Sequence, residues 1–303
     1  MIKKEKGMIL DIDSDQSEVF AFDRQENISC YAKGNLKKLT KTFYVGDLVM
    51  FEHLNDQSGY ITKIFPRKNT LFRPKIANID NVLLVNALKE PSLNTFLLDK
   101  YLAFLEVYQI EPLLVFTKKD LLANDDLIFT KVKAYQEMGY TTFLLNNNSP
   151  DKKVLGEIEK IMENKLSVFV GQTGAGKTST LNNFLSFENQ QRTNSISKAL
   201  NRGKHTTTKI RIYVINQVIF LADSPGFSAF DLKGISLAEL RSAFRIFEKY
   251  QGECKFNDCL HLSEKGCMIK KKVETQDIPL FFYEDYIKIA EEVQKEESSW
   301  QRL

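Results

Sequence analysis

Residues 166–185 read LSVFVGQTGAGKTSTLNNFL, and this segment indicates an α/β fold class. The apolar run Leu166–Val170 has the composition of a strand buried on both faces, and the loop after it fits the pattern G-x-x-x-x-G-K-[ST] at every fixed position. In such a loop, backbone N–H groups converge on phosphate oxygens at the N-terminus of a helix, where the helix dipole is positive. We therefore predict a phosphate-binding loop made of Gly171, Gln172, Thr173, Gly174, Ala175, Gly176, Lys177, Thr178 and Ser179.

Two side chains of this loop add chemistry to that of its backbone. Lys177 is predicted to reach the β- and γ-phosphates of a nucleoside triphosphate and to stabilise the charge that develops during hydrolysis. The Thr178 hydroxyl is predicted to be a ligand of Mg²⁺. The alternative is a glycine-rich turn with a structural role, which the flanking strand and helix make the weaker interpretation.

A second motif indicates which base the nucleotide carries. Thr117, Lys118, Lys119 and Asp120 directly follow the apolar run 113–116 and resemble the N-K-x-D motif of GTPases. The Asp120 carboxylate would accept two hydrogen bonds from guanine, whereas adenine has no matching pair of donors on that edge. Thr117 replaces the usual asparagine, and its single hydroxyl can make only part of the bonds of an amide. Alone, such a segment is common surface chemistry, but together with the phosphate loop it predicts GTP as the ligand.

A third motif predicts a switch that senses the γ-phosphate. Asp223-Ser224-Pro225-Gly226 follows the apolar strand 218–222 and matches the pattern D-x-P-G. Asp223 would hold Mg²⁺ through water, and the Gly226 N–H would contact the γ-phosphate. The alternative is an ordinary turn with proline at its second position.

The three motifs occur in an unusual order along the chain. In an ordinary GTPase the phosphate loop comes first and base recognition later, whereas here Asp120 precedes Gly171 and Asp223 comes last. The same site can form in a circularly permuted domain, because neighbouring strands rather than chain order bring its parts together. We therefore predict a circularly permuted P-loop GTPase domain.

The hydrophobic pattern divides the chain into three predicted domains, which together make a multidomain α/β protein. Residues 1–67 contain short alternating runs and turn residues, which predict an OB-type β-barrel with Cys30 in its core and His53 at its surface. Residues 68–232 alternate apolar strands with helical spacings and form the predicted GTPase domain. Residues 233–303 are predicted to be helical, with one helix over 237–250.

Four potential metal ligands are crowded into the C-terminal region. Cys254, Cys259, His261 and Cys267 supply three thiolates and one imidazole. Four ligands of this type suit a closed tetrahedral Zn²⁺ site with a structural role. The alternative is a set of buried free cysteines beside a surface histidine.

Composition sets limits on location and partners. The chain has 303 residues, 27% charged residues and a formal net charge of +3, which alone is too weak to indicate nucleic acid. Lysines and arginines do cluster, however, around 33–41, 67–75 and 270–272. Such clusters can neutralise phosphates, and the alternative is an ordinary solvated surface. The chain has no apolar stretch long enough to span a membrane and no secretory signal pattern, so we expect a cytoplasmic protein that does not bind membranes. A monomer is the separate expectation for its oligomeric state, which no sequence pattern indicates.

Taken together, the motifs resemble those of the circularly permuted ribosome-assembly GTPases known as ribosome small subunit-dependent GTPase A. The resemblance extends over nearly the whole chain, and it includes segments 31–36, 45–49, 66–69, 73–80 and 202–208. It implies a barrel, a permuted GTPase domain and a helical zinc-binding domain. It also implies binding to the small ribosomal subunit and its rRNA late in subunit assembly, with subunit-stimulated GTP hydrolysis coupled to maturation and release.

The expected reaction is Mg²⁺-dependent attack of water on the γ-phosphate of GTP. Phe227 stands where many GTPases carry a water-orienting glutamine, so we expect slow intrinsic hydrolysis. His205 lies within segment 202–208, which looks like the family's first switch, and it is a candidate water-orienting residue. The alternative is a structural or RNA-contacting side chain. Two other classes of function remain open: an RNA-binding scaffold with incidental turnover, and an ATP-dependent kinase or ATPase.

Overall fold

The computed structural model describes residues 3–34, 43–72, 75–184, 210–222 and 232–300. By Cα proximity the chain divides into two compact units, and each is described by itself below. The first unit comprises residues 1–83, 150–170 and 177–228, and the second comprises 84–149, 171–176 and 229–303.

A closed five-stranded barrel lies in the first unit. Its strands follow the order β1-β2-β3-β5-β4, with β3 and β5 parallel and the other pairs antiparallel. They are β1 (Lys4–Asp13), β2 (Gln16–Ala21), β3 (Glu26–Ala32), β4 (Leu48–His53) and β5 (Ser58–Ile64). Alternate residues point inward, so that side chains such as Val49, Phe51 and Cys30 form a core without solvent exposure. The predicted barrel and the predicted core position of Cys30 are therefore confirmed.

The expectation that His53 lies at the surface was wrong. Its side chain is only 8% exposed, and its Nε2 atom lies 2.9 Å from a carboxylate oxygen of the fully buried Glu5. The same carboxylate accepts hydrogen bonds from the backbone N–H groups of Asp23 and Arg24. These bonds outweigh the effect of burial and lower the pKa of Glu5. A buried carboxylate needs such partners, and His53 is one of them.

The predicted α/β domain contains a six-stranded sheet with the order β10-β9-β8-β11-β13-β12. The strands are β8 (Asn81–Ala87), β9 (Glu111–Thr117), β10 (Thr141–Leu144), β11 (Leu166–Val170), β12 (Ile212–Ile215) and β13 (Ile219–Ala222). The β9–β10 and β11–β13 pairs are parallel, and β12 is antiparallel to β13. A separate two-stranded antiparallel sheet is formed by β6 (Thr70–Phe72) and β7 (Lys75–Ala77). The boundary between the two units falls within β8, between Leu83 and Leu84.

Within the first unit, the barrel contacts the edge of the sheet formed by β12 and β13. The rings of Phe20 and Phe220 meet edge to face with their centroids 5.4 Å apart. The guanidinium of Arg211 donates to the Glu18 carboxylate at 2.7 Å. The barrel and this edge of the sheet are therefore held together by an aromatic contact and an ion pair.

Within the described residues, the helices of more than three residues are α1 (Thr95–Val107), α2 (Ile128–Glu137), α3 (Lys152–Met162), α4 (Lys177–Phe184), α5 (Leu237–Ser242), α6 (Arg245–Glu248), α7 (Met268–Glu274) and α8 (Leu280–Trp300). The prediction of one helix over 237–250 was wrong, since α5 and α6 are separated at Phe244, whose backbone is extended. The Phe244 ring is buried and packs edge to face against Phe282 and Tyr286 of α8. The helical segment is therefore interrupted at the residue whose ring packs against α8.

Candidate functional site

The phosphate loop has the predicted strand–loop–helix setting. All five residues of β11 are buried, and α4 begins at Lys177, directly after the glycines. At Gly171, a Cβ atom would lie 2.0 Å from the carbonyl oxygen of Val85, so only glycine fits there. Gly176 has a φ of +91°, and a Cβ on it would lie 3.0 Å from the amide nitrogen of Asn147. Backbone shape and close approach therefore both require glycine in this loop.

Lys177 lies at the first turn of α4, where the backbone N–H groups have no carbonyl partner within the helix. Burial lowers the pKa of Lys177 because its ammonium group is partly removed from water. A phosphate group at this position would favour the charged form again. Thr178 and Gln172 are partly buried, whereas Thr173, Gly174 and Ser179 are exposed.

The base-recognition motif lies directly beside the phosphate loop. Thr117 is fully buried, and its hydroxyl donates a hydrogen bond of 2.6 Å to the carbonyl oxygen of Ala175. Lys118 has a left-handed backbone conformation with a φ of +60°, and its ammonium donates to the carbonyl oxygen of Glu90. Lys119 begins a short 3-10 turn, and the Asp120 carboxylate is exposed on that turn. The hydroxyl of Thr117 thus joins the two loops.

Two asparagines of this neighbourhood were missed at the level of sequence. Both follow β10, the strand that pairs in parallel with β9. The side-chain amide of Asn148 donates to the Asp120 carboxylate at 3.2 Å, and that of Asn147 approaches the carbonyl oxygen of Gly176 at 3.5 Å. The usable signal was their position, because the carboxyl ends of parallel neighbouring strands meet at one edge of a sheet.

Several predicted residues lie outside the described part of the chain. They are His205 with the segment 202–208, and Asp223 and Gly226 of the D-x-P-G motif.

The four predicted metal ligands come together in the C-terminal region. One ligand atom each of Cys254, Cys259, His261 and Cys267 lies within 4.8 Å of all the others. The Nδ1 atom of His261 lies 3.6 Å from the Sγ of Cys254 and 3.4 Å from the Sγ of Cys267. In a tetrahedral site with metal–sulfur bonds of about 2.3 Å, neighbouring ligand atoms are roughly 3.5–4 Å apart. The donor set and the spacing are consistent with Zn²⁺.

The loops that carry these ligands are fixed by further hydrogen bonds. The Met268 N–H donates to the Sγ of Cys254 at 3.2 Å, and the Tyr283 hydroxyl donates to the carbonyl oxygen of His261 at 2.8 Å. The Glu264 carboxylate accepts from two backbone N–H groups, those of residues 260 and 262. Burial lowers the pKa of His261, which favours the neutral imidazole that a metal requires. The site is therefore preorganised by its own loops.

Within the described residues, no helix combines the length and the apolar composition that crossing a membrane requires.

Comparisons with known proteins show which family the chain belongs to. The family model for the RsgA GTPase matches residues 64–233. A protein of Mycoplasmopsis pulmonis, named "Small ribosomal subunit biogenesis GTPase RsgA", is 43% identical over 86% of this chain and 90% of its own length. A protein of the same name from Bacillus velezensis is 36% identical, and the match covers 97% of both chains.

Two solved structures are similar over nearly the whole chain. The crystal structure of YloQ, described as a circularly permuted GTPase, has a TM-score of 0.81 and 30% identity, covering 97% of this chain and 96% of that one. The crystal structure of YjeQ from Thermotoga maritima also has a TM-score of 0.81, with 28% identity and coverages of 96% and 99%. The predicted fold class and the predicted family are confirmed, and this chain belongs to the RsgA family of circularly permuted GTPases.

Proposed function

We propose that this chain hydrolyses GTP on the small ribosomal subunit late in its assembly, and that the subunit stimulates hydrolysis, which is coupled to maturation and release. The observation that carries the proposal of GTP hydrolysis is the hydrogen bond from the Thr117 hydroxyl to the carbonyl oxygen of Ala175. This bond joins the base-recognition motif to the phosphate loop. The proposal that the small ribosomal subunit is the partner rests on the similarity to proteins named small ribosomal subunit biogenesis GTPases.

Within this proposal each residue of the loops has a role. The amides of residues 171–179 bind the phosphates, and the ammonium of Lys177 stabilises charge on the γ-phosphate as the bond to it breaks. The Thr178 hydroxyl would hold Mg²⁺, which would neutralise phosphate charge, and Asp223 would help to hold it. The Gly226 N–H contacts the γ-phosphate, so that loss of this group releases the switch.

The same proposal assigns guanine recognition to residues 117–120. Asp120 accepts from the guanine edge, and the Lys118 stem lies along the base plane. Support comes from Asn148, which donates to Asp120 and limits the directions its carboxylate can take. Asp120→Asn should shift preference from guanosine to xanthosine nucleotides, measured as the ratio of the two dissociation constants. A variant that prefers adenosine nucleotides would contradict the assignment.

We further propose His205 as the residue that orients the attacking water. The support is the sequence: Phe227 follows the D-x-P-G motif where many GTPases have glutamine, and His205 adjoins the threonines 206–208, one of which should hold Mg²⁺. Subunit-stimulated hydrolysis by His205→Ala should be slowed by on the order of 100-fold or more, the usual contribution of a positioned proton acceptor. Hydrolysis at the unaltered rate would remove His205 from the mechanism.

We propose three domains, 1–67 as an rRNA-binding barrel, 68–232 as the GTPase domain and 233–303 as a helical domain with one structural Zn²⁺. The end of β5 at Ile64 and the family match over 64–233 support the first boundary. The four clustered ligands leave no position open for water, which supports a structural rather than a catalytic metal. We expect the protein to act as a monomer in the cytoplasm.

Sedimentation with isolated small subunits tests the proposal. Protein bound to a non-hydrolysable GTP analogue should sediment with the subunits, and protein bound to GDP should remain in solution. His205→Ala, which keeps the phosphate-binding residues, should with GTP also stay on the subunit, because hydrolysis is needed for release. Equal sedimentation in all nucleotide states would favour the scaffold alternative, in which turnover is incidental.

A further inference from the structure

Two tyrosines form an exposed aromatic pair on the outside of the barrel. Tyr31 of β3 and Tyr60 of β5 are directly paired in the parallel register, and their ring centroids lie 6.4 Å apart. Tyr31 is 40% exposed and Tyr60 is 39% exposed, so that both rings are accessible from solvent. Among the large aromatic side chains that the structure describes as exposed, these two are neighbours, and Phe256 stands apart from them in the chain.

The strand register places cations next to this pair. Tyr60 is paired with Glu52 of β4, and Glu52 is in turn paired with Lys4 of β1. Both Lys4 and Lys33 bind the Glu52 carboxylate at 3.2 Å while their own side chains remain about 60% exposed. Two ammonium groups therefore share one carboxylate, and this pairing lowers the pKa of Glu52. On the Tyr60 side, the aromatic pair is therefore flanked by two ammonium groups and one carboxylate, whereas the register places Gln16 and then Asp13 beside Tyr31.

We propose that Tyr31 and Tyr60 form a stacking platform for unpaired bases of an RNA strand, whose phosphates lie against Lys33 and Lys4. Flat aromatic faces beside cations are the combination that binds single-stranded nucleic acid on barrels of this type. A duplex would not suit the platform, because its bases are stacked on each other and their faces are not accessible. This inference specifies where the barrel of the proposed function contacts rRNA, and it rests on that function for the identity of the RNA.

Rigid strands hold the platform in place. The β3–β5 pairing extends from Ser29 to Ala32, and the Lys33 N–H donates to the carbonyl oxygen of Ile61. Cys30 and Ile61 lie on the opposite face of these strands, in the barrel core, without exposure to solvent. The backbone under both rings is thus already ordered, so that binding costs little additional conformational entropy.

The test measures binding of a labelled single-stranded RNA of about 12 nucleotides, within the range that one barrel of this kind covers. Tyr31→Ala and Tyr60→Ala should each weaken binding about 5- to 150-fold, which is the range for loss of one base–aromatic stack. Tyr31→Phe and Tyr60→Phe keep the ring and should bind like the unaltered protein. Leu54→Ala removes another exposed apolar side chain of the barrel, 59% exposed, and should also leave binding unchanged.

The salt dependence separates stacking from charge. Lys33→Ala should reduce the slope of log affinity against log salt concentration by about 0.7, and the tyrosine variants should leave it unchanged. Alanine variants that bind the RNA as tightly as the unaltered protein, or phenylalanine variants as weak as alanine ones, would overturn the platform. If the alanine variants bind the RNA normally but no longer bind the small subunit, the two tyrosines contact a protein of the subunit instead. That result would also overturn the platform. Subunit-stimulated hydrolysis is measured separately, so failure of the proposed function can be distinguished from failure of this inference.

Discussion

Thr117→Val removes the hydroxyl that joins the base-recognition loop to the phosphate loop while keeping the size and branching of the side chain. In the native protein this hydroxyl donates to the carbonyl oxygen of Ala175 at 2.6 Å. Its other contact, with the carbonyl oxygen of Asn86, is long at 3.4 Å. The substitution therefore tests mainly the bond to Ala175.

The magnitude follows from burial. Thr117 is fully buried and Ala175 is 1% exposed. In the valine variant the carbonyl oxygen of Ala175 therefore loses its hydrogen-bond donor and cannot bond to water unless the loops move. An unpaired buried acceptor costs about 1–3 kcal/mol. The loops relieve this cost when they separate, and nucleotide binding has to bring them back together. The dissociation constant for GDP or GTP should therefore rise about 5- to 150-fold.

The assay is equilibrium titration with a fluorescent guanine nucleotide, together with thermal unfolding of the nucleotide-free protein. Thr117→Ser keeps the hydroxyl and should bind within about 3-fold of the unaltered protein, a difference well under 1 kcal/mol. If valine and serine variants bind equally well, the bond does not organise the site. Equal affinity with a lower unfolding temperature would mean that Thr117 matters for stability alone, which also contradicts the argument.

Three further predictions concern stability. Burial raises the pKa of Asp99 above the ordinary value of 3.8, so the folded state holds the proton while the unfolded state releases it. The free energy of unfolding therefore falls as pH rises from 3.8 towards the folded pKa, and Asp99→Asn should be more stable than the native protein in urea unfolding at pH 7 but not at pH 3. Arg67 donates two hydrogen bonds of 2.6 and 2.8 Å to the fully buried carboxylate of Asp47, so Arg67→Met should lower the free energy of unfolding in urea by about 3–5 kcal/mol. Arg211→Met removes the more exposed ion pair with Glu18 and should lower it by less than about 1 kcal/mol. Cys259→Ser should reduce bound zinc, measured by a colorimetric chelator after unfolding, and should lower the unfolding temperature to that of the chelator-treated native protein.

The parts of this fold that could be predicted from sequence are those that depend on neighbours along the chain. A glycine-rich loop between an apolar strand and a helix is such a local unit, and so is the set of ligands from Cys254 to Cys267. Alternation of apolar residues in the strands predicted the barrel for the same reason, because side chains two residues apart share one face.

The parts that could not be predicted depend on pairs that are distant in sequence. The acceptor of the Thr117 hydroxyl lies 58 residues further along the chain, and the carboxylate that holds His53 lies 48 residues before it. Asn148 gains its role only because β10 lies beside β9. Local patterns contain no information on such partners unless strand order is known first. His53 did carry one usable signal, since it continues the inward alternation of Val49 and Phe51.

The most direct test of the central claim is the rate of GTP hydrolysis by the purified protein with and without isolated small ribosomal subunits, with ATP as the competing substrate and Lys177→Ala as the inactive reference. We expect slow hydrolysis of GTP alone, a many-fold increase with subunits, no hydrolysis of ATP, and no activity in the variant. A GTP rate that is the same with and without subunits would contradict the proposed role on the ribosome, and equal hydrolysis of ATP would contradict guanine recognition by Asp120.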